Sequence, residues 1–193
     1  MFYLIEPDDE LSDNWLFFEE DLNGMLVVRE EYRDLVCQSC GKIDENIAIS
    51  RGLSSHFIVQ TNSDIVATSE DWICVSARFC DEIKKLEFGG LRFVPLADSK
   101  HSIVMPELLV ETDETRAGFE NHNQCTCCGR YGERIIGPFI QGMTLPASDS
   151  TFFASSIANE NVKVSYYRFF ASELMVEAIR KLEFAGIDFV ETA

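Results

Sequence analysis

The 193-residue chain carries 33 acidic and 16 basic side chains, a formal net charge of −17, and 46% of its residues are hydrophobic. The apolar content is enough for a folded core. No apolar run reaches the roughly 18 residues that a membrane-spanning helix needs. The negative electrostatic field of the protein repels nucleic acid and anionic lipid. The start of the chain lacks the basic stretch of a secretory signal. We therefore expect a soluble, cytoplasmic protein that binds neither nucleic acid nor a membrane, and whose acidity serves either solubility or the attraction of basic partners.

Several apolar stretches between turn residues are predicted to be extended. Their lengths and their flanking glycine, proline and asparagine residues are typical of strands. The predicted extended segments are residues 1–5, 14–18, 25–29, 46–50, 56–60 and 103–109.

Two amphipathic helices are predicted, over about residues 77–88 and 173–184. Each follows a short apolar strand and a serine, Ser76 or Ser172, whose hydroxyl can accept an N–H of the first helical turn. Apolar side chains at positions i, i+4 and i+7 give each helix one buried face.

The two helices belong to an internal repeat. Residues 83–94 (IKKLEFGGLRFV) and 179–190 (IRKLEFAGIDFV) are identical at eight of twelve positions with a constant offset of 96. Gly90 and Gly186 follow the helices where a left-handed C-cap is expected, and a second short strand comes next. Each copy therefore reads as a strand–helix–strand unit.

A CxxCG motif, with a basic residue after the glycine, is repeated as well. CQSCGK covers residues 37–42 and CTCCGR covers residues 125–130. The sequence thus predicts an α+β, strand-rich and internally duplicated fold, with halves at 1–97 and 98–193 that form one compact unit. Each half has an N-terminal strand-rich part, a CxxCG knuckle and a closing strand–helix–strand unit.

The spacing of the cysteines favours a metal site, because cytosolic thiols stay reduced and two CxxC pairs supply the four sulfurs of a closed zinc site. The predicted ligands of a structural zinc are Cys37, Cys40, Cys125 and Cys128. Cys127 is the extra thiol, because only the 125/128 pair is followed by glycine at the right offset. Lys42 and Arg130, one after each knuckle, are expected to offset the charge of four thiolates.

Other assignments stay open for these residues. The 84 residues between the two pairs far exceed the roughly 15–20 of a compact zinc ribbon, so the fold has to bring the knuckles together, and a redox pair or knuckles without metal are alternatives. His122, three residues before Cys125, could replace a sulfur. Cys74 and Cys80 align with Phe170 and Val176 in the repeat, which predicts that they are small buried side chains.

The two CxxCG motifs, CQSCG and CTCCG, resemble those of the bacterial double-CXXCG-motif proteins, which have about this length. The closing segment, residues 172–192, is similar to the serine, amphipathic helix and glycine-aromatic strand that end a wider group of immunity-type proteins. The resemblance implies an antidote in a polymorphic toxin system, encoded beside the toxin that it blocks. It assigns no residue to the toxin contact.

Three classes of function remain after this comparison. An immunity protein with a structural zinc would use its acidity to attract a basic toxin, such as a nuclease. A zinc-ribbon adaptor is the second class. A zinc- or thiol-dependent enzyme is the third, and it is disfavoured because the chain has no Ser-His-Asp arrangement, phosphate loop or HExxH motif, and because four thiolates leave no open zinc position.

Overall fold

The computed structural model describes residues 1–8, 10–11, 15–135, 140–161 and 163–192, with the backbone alone at 10–11. These residues form a strand-rich fold of mixed α and β structure. The helical segments are a 3₁₀ helix at Glu30–Leu35, α1 at Glu45–Arg51, α2 at Ala77–Lys85 and α3 at Glu173–Arg180. None of the helices in the described ranges is long and apolar enough to cross a membrane.

The strands are short and are distributed over the whole described chain. They are β1 (Phe2–Pro7), β2 (Glu10–Leu11), β3 (Phe18–Glu20), β4 (Leu26–Val28), β5 (Ile65–Thr68), β6 (Ile73–Ser76), β7 (Leu91–Pro95), β8 (His101–Pro106), β9 (Leu109–Val110), β10 (Glu120–Gln124), β11 (Tyr131–Ile135), β12 (Ala154–Ser155), β13 (Asn159–Glu160), β14 (Ser165–Tyr166), β15 (Phe169–Ser172) and β16 (Ile187–Glu191). Their order in the sheets is β2-β5-β6-β8-β7, β15-β1-β16, β10-β11-β13-β14, β3-β4 and β12-β9.

Both predicted strand–helix–strand units are present, as β6–α2–β7 and β15–α3–β16. In neither unit are the two strands neighbours in the sheet, because a third strand lies between them. Strand β8 lies between β6 and β7 and is antiparallel to both. Its residue Ile103 pairs with Cys74 on β6 and with Val94 on β7.

Strand β1 takes the same position in the other unit, between β15 and β16 and antiparallel to both. Its residue Leu4 pairs with Phe170 on β15 and with Val190 on β16. These partners lie 96 positions after the two partners of Ile103, so the two sheets share one register. The first strand of each half therefore completes the sheet of the other half.

The helices begin where the sequence predicted and end earlier. The hydroxyls of Ser76 and Ser172 accept the N–H groups of Phe79 and Met175, and each serine is the N-cap. The helices end at residues 85 and 180 rather than at about 88 and 184.

The early helix ends have a local cause. The chain turns into the left-handed region at Glu87 and at Glu183, with φ of 57° and 51°, before it reaches the glycines. Gly90 and Gly186 also have positive φ, but they serve close approach to another segment: a Cβ there would lie 1.9 Å from the carbonyl oxygen of Phe152 and 2.2 Å from that of Ile65, respectively.

Two of the predicted extended segments are different in the structure. Residues 46–50 lie inside helix α1, whose N-cap Asp44 accepts the N–H of Ile47, so the capping interaction overrides the apolar run. Residues 56–60 form a loop. The segment predicted at 14–18 is a strand only from Phe18 onward among the described residues, and residue 14 lies outside them.

Helices α2 and α3 bury their apolar faces in one shared cluster. Ile83 of α2 and Ile179 of α3 are both 1% exposed there, and they are joined by Ile5 of β1 and Val104 of β8. Strands β1 and β8, which each lie in the sheet of the other half and are called the exchanged strands below, thus contribute to the same core as the two helices. Burial of this kind stabilises by about 1.5–3 kcal/mol for each large apolar side chain.

Candidate metal centre

The first knuckle is a tight turn between the 3₁₀ helix and α1. The N–H of Cys37 donates to the carbonyl of Lys42 (2.8 Å), and the N–H of Gly41 donates to the carbonyl of Cys37 (2.8 Å). Gly41 has φ +76°, a conformation that glycine adopts without steric cost. The turn points both cysteines of the pair to one side.

The second knuckle repeats this backbone in the turn between β10 and β11. The N–H of Cys125 donates to the carbonyl of Arg130 (2.8 Å), and the N–H of Gly129 donates to the carbonyl of Cys125 (2.9 Å). Gly129 has φ +75°. The glycine that follows each CxxC is therefore required by the turn at both positions.

The fold brings the two knuckles together despite their distance in sequence. The sulfurs of Cys37 and Cys125 are 3.9 Å apart, those of Cys40 and Cys128 are 3.6 Å apart, and all four lie within 4.8 Å of one another. All are free thiols, and the separations are far beyond a disulfide bond. A tetrahedral ion with bonds of about 2.3 Å to four sulfurs would separate them by about 3.8 Å. The four predicted cysteines can thus hold one metal ion.

Backbone N–H groups favour the thiolate at the first cysteine of each knuckle. The pKa of Cys37 is lowered by the N–H groups of Cys40 and Ser39. The pKa of Cys125 is lowered to about 6 by those of Cys128 and Cys127. Burial instead raises the pKa of Cys40 to about 12. A bound cation would favour the thiolate at every position, because metal ions bind the deprotonated form.

A buried ion pair ties the first knuckle to the second half of the chain. Lys42 is 1% exposed, and its Nζ donates to Glu160 Oε2 at 3.0 Å and also to the carbonyl of Asn161. Glu160 lies on β13, which pairs with β11 next to the second knuckle. Lys42 therefore acts as a clamp between the halves, in addition to the charge-balancing role expected from the sequence.

The second knuckle makes the reciprocal contact. The guanidinium of Arg130 donates to the carbonyl of Ile43 and lies 3.3 Å from Glu45 Oε2 in helix α1, and it also lies against Cys128. Glu45 further accepts the N–H of Ser165 at 2.5 Å. Burial raises the pKa of Glu45 to about 7, and the N–H bonds and Arg130 oppose this shift. Arg130 can therefore balance the negative charge of the sulfurs and also join the two halves.

The remaining thiols and the nearby histidine lie outside the cluster. Cys127 is exposed in the turn and its thiol contacts that of Cys37, but it is not one of the four sulfurs that lie within 4.8 Å of one another. His122 is near Glu120 at 4.0 Å on exposed strand β10. Cys74 and Cys80 are 0% and 6% exposed, which confirms the prediction that they are small core side chains. Burial raises the pKa of both.

A cleft of about 490 Å³ borders the cluster at Cys128. The Arg130–Glu45 pair described above lines it, together with Arg134, which is ion-paired with Glu160 at 3.7 Å. Four of the five charged side chains that line the cleft, those of Glu45, Arg130, Arg134 and Glu160, thus form ion pairs, and the fifth, Asp44, is the N-cap of α1.

Sequence reasoning identified the four sulfurs but not their supporting carboxylates. Glu45 and Glu160 are single acidic residues in a chain with 33 of them, and neither belongs to a motif. The one signal for these carboxylates in the sequence is the basic residue after each CxxCG motif, because a buried cation needs a buried anion as its partner. The sequence does not indicate which of the acidic residues pairs with Lys42 or with Arg130.

Comparison with family models, with characterised proteins and with solved structures gives no match to this chain.

Proposed function

We propose that the chain is a metal-stabilised binding protein that neutralises a cognate bacterial toxin, as an immunity protein. The observation that carries the proposal is the meeting of the two CxxCG knuckles around one centre. The resemblance to double-CXXCG-motif proteins depends on these motifs as a pair, and a pair that stayed far apart in the fold would argue against it.

The ion we propose is zinc in a structural role. Thiolate ligands are soft donors that suit zinc, and four of them complete a tetrahedral site without a position for water or substrate. The sulfur separations of 3.6 and 3.9 Å lie on either side of the value for such a site. A closed site of this kind supports a binding protein over an enzyme.

We further propose that the halves, residues 1–97 and 98–193, derive from one duplicated unit. The shared register of the two exchanged strands and the matching hydrogen bonds of the two knuckles support a common origin. The duplication would also explain how ligands 84 residues apart come to face each other, since equivalent turns meet across a pseudo-twofold axis.

The partner we propose is a basic toxin that acts in the cytoplasm. A protein with net charge −17 attracts a basic partner over distances of about 10 Å, which raises the association rate. An antidote must bind before the toxin reaches its substrate, so a fast association is an advantage. A zinc-ribbon adaptor would share the metal site, but it has no comparable need for this charge.

The test is a binding experiment with the protein encoded by the adjacent reading frame. We expect a stable complex in a pull-down, rescue of growth when both are expressed, and association that slows several-fold between about 20 and 150 mM salt. A complex without rescue would favour the adaptor. Failure to bind, or association that does not respond to salt, would contradict the proposal.

A further inference from the structure

The feature that points to a partner contact is the hairpin of strands β3 and β4, which form their own two-stranded sheet in the described chain. Leu22 at its turn is 106% exposed and Met25 is 62% exposed. Met1 and Leu174 are also exposed, at 61% and 58%, and lie near each other because the N–H of Glu173 donates to the carbonyl of Met1, but neither projects from a turn. Exposed apolar side chains that stand singly need no explanation. Two neighbouring ones at the end of a hairpin do.

Hydrogen bonds fix the backbone of the turn that carries these two side chains. One carboxylate oxygen of Asp21 accepts the N–H groups of Asn23 and Met25, each at 2.8 Å. The backbone adds bonds from the N–H of Asp21 to the carbonyl of Met25 (2.8 Å) and from the N–H of Gly24 to that of Asp21 (2.9 Å). A turn whose backbone is fixed before binding loses less conformational entropy when a partner covers it.

The base of the hairpin is fixed to the core. The N–H groups of Leu16 and Phe17 donate to the two oxygens of buried Glu70 at 2.6 and 2.8 Å. Arg29, which follows β4 at the same base, donates to the carbonyl of Leu16 and pairs with Glu19 at 3.3 Å. The projecting turn therefore stands on a rigid support.

Charge defines what can bind there. Between residues 18 and 35 the chain carries six carboxylates and two guanidinium groups. Of the two guanidinium groups, that of Arg29 is buried against Glu19. The exposed carboxylates next to the turn are those of Glu19 and Glu20 on β3, whereas Glu30 and Glu31 follow β4 at the base of the hairpin. An apolar tip with acidic side chains on one flank complements an apolar pocket with a basic rim.

We infer that the tip of the β3–β4 hairpin, residues 19–25, is the docking element for a protein partner that has a small apolar pocket bordered by lysine and arginine side chains. Leu22 is the side chain that enters the pocket, and the carboxylates guide the approach. This inference rests on the proposed function, because the partner that it describes is the basic toxin.

The experiment measures binding of full-length variants to the purified product of the adjacent reading frame. Leu22→Ser removes the apolar anchor without disturbing the bonds of Asp21, and we expect the dissociation constant to rise about 30-fold or more. Leu174→Ser, at a leucine on α3 that is 58% exposed, is the matched control and should change it by less than about threefold. Both variants should unfold at the temperature of the wild type.

The acidic side chains on this flank have a separate signature. Glu20→Gln should slow association several-fold at low salt and leave the dissociation rate almost unchanged, because exposed charges act mainly on the approach.

The possible failures are distinguishable. Wild-type binding that Leu22→Ser leaves unchanged would overturn the docking element and leave the proposed function intact. No binding by the wild type would overturn both. Sedimentation that shows a dimer of this chain, dissociated by Leu22→Ser, would also overturn the inference, because the hairpin would then be covered by a second copy.

Discussion

At the scale of single residues, the two knuckles differ at the position directly before the second cysteine of each CxxC pair. It holds Ser39 in the first knuckle and Cys127 in the second, and in both the backbone N–H at this position helps to lower the pKa of the first cysteine. The side chains at this position also reach across to the other knuckle, that of Ser39 to Cys125 and that of Cys127 to Cys37. A hydroxyl and a thiol can both make this contact, so the residue type differs between the knuckles. Cys127 is exposed and outside the cluster of four sulfurs.

This difference predicts unequal effects of cysteine replacement. Cys37→Ser and Cys125→Ser each remove a ligand, so we expect loss of bound metal and a free energy of unfolding lower by on the order of 4 kcal/mol. Cys127→Ser should retain the metal and the stability of the wild type, since a serine already occupies the equivalent position 39. Metal analysis and urea unfolding of the three variants test this. Equal metal content in all three would contradict the assignment.

Glu70 is the second residue with a measurable consequence. It is 0% exposed, and burial raises its pKa to about 7 against the opposing N–H groups of Phe17 and Leu16. A folded-state pKa above the unfolded value favours the protonated form on folding. The stability that this carboxyl contributes is therefore fully present below about pH 4.5 and is lost as the pH rises through about 7.

We expect this effect as a difference between two proteins. The wild type should lose up to about 3 kcal/mol of unfolding free energy relative to Glu70→Gln between pH 5 and 8. Because metal loss in acid affects both proteins equally, it cancels in the difference. Urea unfolding at several pH values measures it, and a difference that stays constant or grows with pH would contradict the assigned direction.

At the scale of elements, two glycines decide how the halves approach each other. Gly90 and Gly186 follow α2 and α3, and each lies directly against a carbonyl of the other half. Gly118 also has positive φ (+71°), but no atom lies within 4 Å of where its Cβ would be. The three positions share the backbone preference for glycine and differ only in the close approach.

Alanine substitution separates these two causes. Gly118→Ala should cost about 1 kcal/mol from the left-handed backbone alone. Gly90→Ala and Gly186→Ala should cost at least about 2 kcal/mol more, because a backbone carbonyl has to move in each case. Urea unfolding of the three variants is the measurement. Similar losses for all three would mean that the close contacts do not carry stability.

The elements that the sequence predicted well are those with local signals. The serine caps of α2 and α3 and the residues that they bond are three positions apart, and the apolar residues of each buried face are three or four positions apart. Both partners of each interaction therefore appear in one short stretch of sequence. Helix α1 was predicted as a strand because the apolar side chains of residues 46–50 mask the cap at Asp44. The two helix ends were placed too late because Glu87 and Glu183 are unusual residues for a left-handed turn.

At the scale of the whole molecule, the exchange of β1 and β8 is what local pattern could not reveal. Both strands read as ordinary extended segments, and their partners lie far away in sequence. The four sulfurs were predictable from spacing and from the repeat. Their meeting, and the clamps from Lys42 to Glu160 and from Arg130 to Glu45, depend on long-range pairing that one sequence does not encode in any short motif.

The exchange predicts that neither half folds alone. A fragment of residues 1–97 lacks the strand between β6 and β7, and a fragment of residues 98–193 lacks the strand between β15 and β16. We expect the separate fragments to be unfolded as monomers by circular dichroism and to form a folded 1:1 complex when they are expressed together. A single fragment that gives a folded monomer would contradict this architecture.

The central claim is that two distant knuckles share one structural zinc ion, and X-ray absorption at the zinc edge on the purified chain tests it most directly. We predict one zinc per chain with four sulfur neighbours at about 2.3 Å and no lighter ligand. A zinc bound by fewer than four sulfurs, or a folded chain purified without a metal ion, would contradict it.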